Sequence, residues 1–171
     1  FYNLEKFFEI CETFTSMPNF VNRFDKEDGN ILTFSVKCGY VDIVEAFSIL
    51  IQNPEKKKKL IQSALDNRRF DTFEFLYSSL INDDKVQPDN NKLFLSSAFC
   101  GNMTIFKFLM PFVTKNYFEI IDLVKCSILH LAASFGDADN FKFIVSLKPT
   151  IDQLNQRDSF GISFLLILYS T

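Results

Sequence analysis

Four stretches of the chain place apolar and polar positions in the same order, that of two short helices joined by a tight turn. They run over residues 31–44, 60–73, 93–106 and 128–141. Each opens on apolar residues and passes a compact pair: Ser35-Val36, Ala64-Leu65, Ser97-Ala98 and Ala132-Ala133. Each then turns, at Gly39, Arg68, Gly101 and Gly136, so the steps are 29, 33 and 35 residues. An aliphatic or aromatic residue stands five positions after every turn: Val44, Phe73, Phe106 and Phe141. A period near 33 predicts a stacked array, because one helix pair can bury its apolar face only against its neighbours. Such an array encloses no catalytic cleft, so function is sought on its surfaces.

The finer pattern assigns the elements. Leu4, Phe7, Phe8, Cys11 and Phe14 make one stripe and predict a helix over 2–14, with Phe20-Val21 tucked beneath the first full repeat. Asn30 caps a helix running to Cys38, and Asp42 caps the next, whose inward face is Ile43, Val44, Phe47 and Ile51. Asn53-Pro54 starts a helix from Glu55 to about Asn67, joined directly to the pair before it. Asp71 caps the following helix, with Phe73, Leu76, Tyr77 and Leu80 inward. Arg68 replaces the turn glycine, at small cost if the turn avoids the left-handed region. Residues 82–91 read as a polar loop, Leu93–Cys100 and Thr104–Val113 as a third pair, and 116–124 as an inserted helical turn. Ser127 and Asp139 cap the two helices of the fourth pair, Lys148-Pro149 stops it, and Ser163 caps the last helix. No segment shows a convincing period of two, so the fold class is all-α.

Composition narrows the function classes. The net charge of −3 and pI near 5.2 argue against a general nucleic-acid binder, which would carry a broad basic face. Phe, at 22 residues with no Trp, occupies positions where Leu usually serves. Cys11, Cys38, Cys100 and Cys126 form no C-x-x-C pair and predict neither a zinc site nor a disulfide framework, which suits a reducing intracellular compartment. The longest apolar run, from Phe160 to Tyr169, is too short to insert across a membrane. There is no secretory signal pattern, and the chain reads as a piece of a longer array. Five glycines leave no phosphate-binding loop, no nucleophile elbow is present, and the single histidine has no carboxylate partner within sequence reach. Neither a catalytic group nor a cofactor or metal is expected. Lys56 to Lys59 is the sharpest charge run. It is either the solvated first turn of a helix, opposing the helix dipole, or a nuclear-import or phosphate-binding patch.

At Ser127-Ile-Leu-His-Leu-Ala-Ala-Ser-Phe-Gly136 the chain resembles the ankyrin repeat family, which opens its first helix with Thr-Pro-Leu-His, continues Leu-Ala-Ala and turns on Gly. Ser127 stands for Thr, Ile128 for Pro, and Leu129 and His130 match. Asp158 to Leu165, and Asp28-Gly-Asn-Ile-Leu with Gly39-Tyr-Val-Asp-Ile-Val44, resemble further repeats. The likeness covers roughly residues 25–171 and thins in the second and third repeats, where Lys59 and Lys92 stand in place of the Thr cap. It resembles the divergent repeats of protists and some large viruses, with few or no β-hairpin fingers; a generic helix-pair solenoid is the other reading.

The resemblance implies one repeat domain over 1–171: a partial leading repeat (1–24), full repeats at 25–53, 54–87, 88–122 and 123–157, and a partial trailing repeat (158–171). It implies a non-catalytic, monomeric, cytoplasmic module that binds a protein partner, nuclear if Lys56–Lys59 is an import signal. Gly39, Gly101, Gly136, Ser127 and His130 would shape the turns, His130 by bonding backbone or Ser127. The concave first-helix and turn surface would present Lys37, Tyr40, Arg69, Phe99, Asn102, Ser134 and Asp137 to the partner, with Tyr40, Arg69 and Phe99 of the residue types enriched at hot spots. A recruiting segment of a larger ubiquitin-ligase adaptor or channel, or a structural spacer, are the alternatives.

Overall fold

A computed structural model describes residues 31–48, 51, 53–81 and 87–170. The expected leading helix, the Phe20-Val21 contact, the Asn30 cap and the first half of the polar loop at 82–91 lie outside them. The described residues are all-α: α1 Ile31–Cys38, α2 Val41–Ser48, α3 Pro54–Asp66, α4 Phe70–Ile81, α5 Asn90–Phe99, α6 Met103–Leu109, α7 Ile128–Phe135, α8 Ala138–Ser146, α9 Ile151–Leu154 and α10 Phe164–Ser170. Two compact units divide the chain, Phe1–Pro88 and Asp89–Thr171.

In the first unit α1 packs on α2 and α3 on α4, while α1 also meets α3 and α2 meets α4. First helices therefore stack on first helices and second on second. The inward stripe of α4 is Phe73, Leu76, Tyr77 and Leu80, each fully buried, with the Phe73 and Tyr77 rings stacked at 5.7 Å. Burying four such side chains contributes roughly 1.5–3 kcal/mol each, which holds the pair together. α3 is the longest described helix; the Asn53 side chain accepts from the Glu55 N–H at 2.9 Å and Pro54 occupies its first turn. Lys59 therefore lies inside this helix and not at its cap, because the helix begins several residues before that position.

In the second unit α5 packs on α6 and on α7, α7 on α8, and α10 on α7. Its core is aromatic. Phe94 of α5 stacks on Phe106 of α6 at 4.2 Å, Phe106 meets the edge of Phe143 of α8 at 6.3 Å, and Phe141 lies 5.8 Å from Phe164 of α10. Asp89 caps α5 by accepting from the Lys92 N–H at 3.0 Å, so Lys92 too lies inside its helix rather than at the cap. After α6 a 3₁₀ turn at Met110–Phe112 ends the pair, and a second at Tyr117–Glu119 occupies part of the expected insertion.

The four turns share one backbone form. Gly39, Arg68, Gly101 and Gly136 have φ of 80°, 57°, 62° and 75°. At the first three, the N–H after the left-handed residue reaches the carbonyl five residues back: Tyr40 to Ser35, Arg69 to Ala64 and Asn102 to Ser97, at 2.9, 2.8 and 2.9 Å. The left-handed residue's own N–H reaches three back, to Val36, Leu65, Ala98 and, in the fourth turn, Ala133. This is the Schellman closure, which satisfies carbonyls that a helix end leaves unpaired. Arg68 does not avoid the left-handed region, because the two bonds together demand it. The second helix then starts sooner than the carboxylates at 42, 71 and 139 suggested. Asp137, not Asp139, caps α8, accepting from the N–H groups of Asp139 and Asn140 at 2.9 and 3.1 Å.

Between pairs the expectation of few or no hairpins meets two exceptions, both in the second unit. Ile121 bridges Ser127 and Arg157 bridges Ser163, each antiparallel. The bridges close one motif repeated at 36 residues. Asp122 Oδ1 accepts from the N–H groups of Val124 and Cys126 (2.9 and 2.8 Å), and Asp158 Oδ1 from those of Phe160 and Ile162 (2.9 Å each). Lys125 and Gly161 take the matching left-handed residue, at φ 60° and 76°. The Ser159 N–H donates to the Val124 carbonyl at 2.8 Å and ties one turn to the next. Of the five residues between α2 and α3 only Ile51 and Asn53 are described.

Candidate partner-binding surface

The seven residues expected to face a partner fall into three groups. Lys37, Tyr40, Phe99, Ser134 and Asp137 are exposed. Two of these also serve the fold: Asp137 caps α8, and Ser134 Oγ donates to the His130 carbonyl at 2.9 Å. Arg69 is exposed, yet its Nε donates to the Lys37 carbonyl at 2.9 Å, and its aliphatic stem lies where a Cβ on Gly39 would sit. It braces one turn against the next within the first unit. Asn102 departs from the expectation: it is buried, and its Oδ1 accepts from the Ile105 N–H at 3.2 Å to cap α6. The position after a left-handed turn residue is the N-cap of the following helix, and a short amide there serves the backbone better than a partner.

Among the turn formers, Ser127 and His130 close the entry to α7. The Ser127 Oγ lies 2.9 Å from His130 Nδ1, and the Ser127 N–H donates to the same nitrogen at 3.3 Å. His130 Nε2 lies 3.1 Å from the Ile162 carbonyl. That carbonyl can only accept, so Nε2 carries the hydrogen and Nδ1 of the neutral ring is the acceptor. The imidazole is 1% exposed and links the Asp158 turn to α7, so it is a structural tie with no face toward solvent. Gly101 is tightly enclosed: a Cβ there would overlap the Phe135 ring, whereas Gly136 has open space around it.

Phe99 is part of a larger feature. α5, the segment from Lys115 to Val124 and Leu131 of α7 enclose an open groove of about 810 Å³. Its floor is Leu95, Ile120 and Leu131, and its walls carry Phe99 at 57% exposed, Ile121, Val124 and a wholly exposed Leu123. The Asp122 turn contributes Ile121, Leu123 and Val124 to the groove opposite the side chains of α5. Phe99 is the wall that the repeat pattern points to, whereas residues 116–124, expected as a helical turn, supply the opposite wall, which that pattern does not indicate. The signal was present in the 36-residue spacing of Asp122 and Asp158.

The charged rim of the groove is mixed, with Lys92 and Lys115 near Asp89, Glu119 and Asp122. In the Asp122 turn, burial pushes the Cys126 thiol pKa up, and the Asp122 and Asp158 carboxylates add to the shift. The thiol is therefore held protonated, the opposite of an activated nucleophile. No cluster of metal-binding side chains occurs among the described residues, and no described helix is long and apolar enough to cross a membrane.

Lys56–Lys59 do not form one patch. Successive helical residues are about 100° apart, so the four side chains radiate around the first turns of α3. Lys58 pairs with Glu55 at 3.0 Å and Lys57 Nζ donates to the Ser79 carbonyl at 3.4 Å. Compared with known proteins, the chain matches no family model and no curated protein sequence.

Proposed function

We propose that the two units are stretches of an ankyrin-like α-solenoid and that the protein binds a protein partner without catalysis, through its first-helix and turn surface. The reading is supported by the left-handed turn shared by four helix pairs, with the Schellman closure in three of them, and by the stacking of first helices on first helices within each unit. The groove between α5 and the Asp122 turn carries it furthest, because it concentrates Phe99, Ile121, Leu123 and Val124 on one exposed face. Contiguous apolar surface of this kind is disfavoured in water unless something covers it. A partner would place an apolar side chain over Leu95 and Ile120 and meet the charged groups at the rim. A cytoplasmic location goes with this reading.

Proximity labelling in the source cell followed by direct binding tests the assignment. The variant Phe99→Ser with Leu123→Ser removes two exposed side chains and leaves the core untouched. The reading expects this variant to lose the partner by at least about tenfold, the effect of removing one hot-spot contact. Unchanged binding by a variant with an unchanged unfolding midpoint would reject the groove as the site. Lys37 and Tyr40, in the other unit, provide a separate arm: loss of binding there, with the groove variant intact, moves the site to the first unit.

A further inference from the structure

Six consecutive residues, Glu119 to Val124, line the groove opposite α5. A helix would offer it one residue in every three or four, and one face of an extended strand every second residue. An unbroken run means that the groove follows the edge of the segment, where the main chain lies. The backbone agrees. Ile120 is extended, at φ −80° and ψ 120°. Its side chain is buried while that of Ile121 is 42% exposed, so the two neighbours turn to opposite faces.

Ile121 bridges Ser127, and the Asp122 N–H donates to the Cys126 carbonyl at 3.1 Å. That bond makes Ile121 and Ser127 a non-hydrogen-bonded pair of an antiparallel ladder, so the N–H and C=O of Ile121 point away from Ser127. Among the described residues neither group has a hydrogen-bond partner. The Asp158 turn approaches elsewhere, where the Ser159 N–H reaches the Val124 carbonyl. The wall across the groove is α5, whose main-chain groups bond within the helix, so Leu95, Ser96 and Phe99 meet an occupant through side chains alone. At the rim, Asp89 and Asp122 each accept from main-chain N–H groups. Lys92 and Lys115 make no ion pair among the described residues, and as uncommitted charges they outnumber Glu119.

We propose, on the reading that this groove is the partner site, that its occupant is an extended segment of the partner, added as a strand along Ile121. The main chain of that segment donates to the Ile121 carbonyl and accepts from the Ile121 N–H. Every second side chain is apolar and rests on Leu95 and Leu131, and an acidic side chain answers Lys92 and Lys115. A helix in the same place would satisfy its own main chain and shut the N–H and C=O of Ile121 off from water without a partner.

Random twelve-residue peptides displayed on phage and selected on the 171-residue chain are the probe. The proposal expects the selected peptides to share apolar residues at alternate positions, beside an acidic one. Bound peptide should slow exchange of the Ile121 amide at least about tenfold. Methylating one main-chain nitrogen of the peptide should weaken binding at least about tenfold at the position facing Ile121 and be tolerated at its two neighbours, because successive N–H groups of a strand point to opposite sides. Apolar residues at helical spacing, an Ile121 amide unchanged by bound peptide, or a selection that yields no binder overturns the strand. The variant Phe99→Ser with Leu123→Ser separates that failure from failure of the groove. Peptides of helical spacing that the variant no longer binds keep the groove and remove only the strand, whereas peptides that it binds as tightly as the native chain reject the groove itself.

Discussion

Arg68 is the one position among the four repeat turns where a side chain with a Cβ stands in the left-handed region, at φ 57°. For an L residue that conformation costs roughly 1–2 kcal/mol, which glycine largely escapes. Glycine also adds freedom to the unfolded chain, worth about 0.4–1 kcal/mol in the opposite direction. The net expectation for Arg68→Gly is a stabilisation of about 0.5–1 kcal/mol, reached without any new contact. Arg68 is exposed and its side chain has interactions of its own, so Arg68→Ala is the control. It removes the same guanidinium but keeps the Cβ, and Gly minus Ala isolates the backbone term. Urea unfolding followed by circular dichroism measures the difference, and hydrogen exchange at α3 and α4 places it. With a urea slope of about 1–3 kcal/mol/M, the glycine variant should unfold at a midpoint at least about 0.2 M above the alanine variant. Equal midpoints, or a glycine variant less stable than alanine, would refute the claim that the turn stores strain at Arg68.

The remaining glycine turns give a matched pair. Gly136→Ala meets open space and should cost about 0.5–1 kcal/mol, the left-handed penalty less the unfolded-state gain, whereas Gly101→Ala also drives a methyl into the Phe135 ring and should cost at least about 1 kcal/mol more, both read from chemical denaturation. His130→Ala strands the buried Ser127 N–H and leaves the Ile162 carbonyl without its donor, so a loss of about 2–4 kcal/mol is expected. A loss below about 1 kcal/mol would show that the imidazole is replaceable by water. Cys126 has its thiol pKa raised by burial and then by the Asp122 and Asp158 carboxylates. Its folded form therefore favours the protonated thiol: this stability is fully present below the unfolded thiol pKa and is lost as pH rises through the folded one. Alkylation at mildly alkaline pH should label Cys126 more slowly in folded than in unfolded protein, and Asp158→Asn should speed it; faster labelling in the folded chain would contradict the direction of the shift.

Much of the helical framework was legible because it is written in local signals. The spacing of Phe73, Leu76, Tyr77 and Leu80 depends only on 3.6 residues per turn, Asn53-Pro54 on the fixed φ of proline and a short side-chain acceptor, and Gly39, Gly101 and Gly136 on the freedom glycine has at positive φ. Three-dimensional packing decided the rest. Asn102 reads as a polar surface residue in sequence, and it is buried because the Schellman turn makes the residue after Gly101 a cap. Arg69 reads as a hot spot, and it lies over Gly39 because the next turn stacks on the last. The Asp122 turn is shaped by one bridge and one carboxylate accepting two N–H groups, so the wall opposite Phe99 follows no hydrophobic periodicity and only the 36-residue spacing of Asp122 and Asp158 points to it. Periodicity reports which side of an element avoids water. Which element supplies the cover depends on how separate segments of the chain come together and is settled only when they pack.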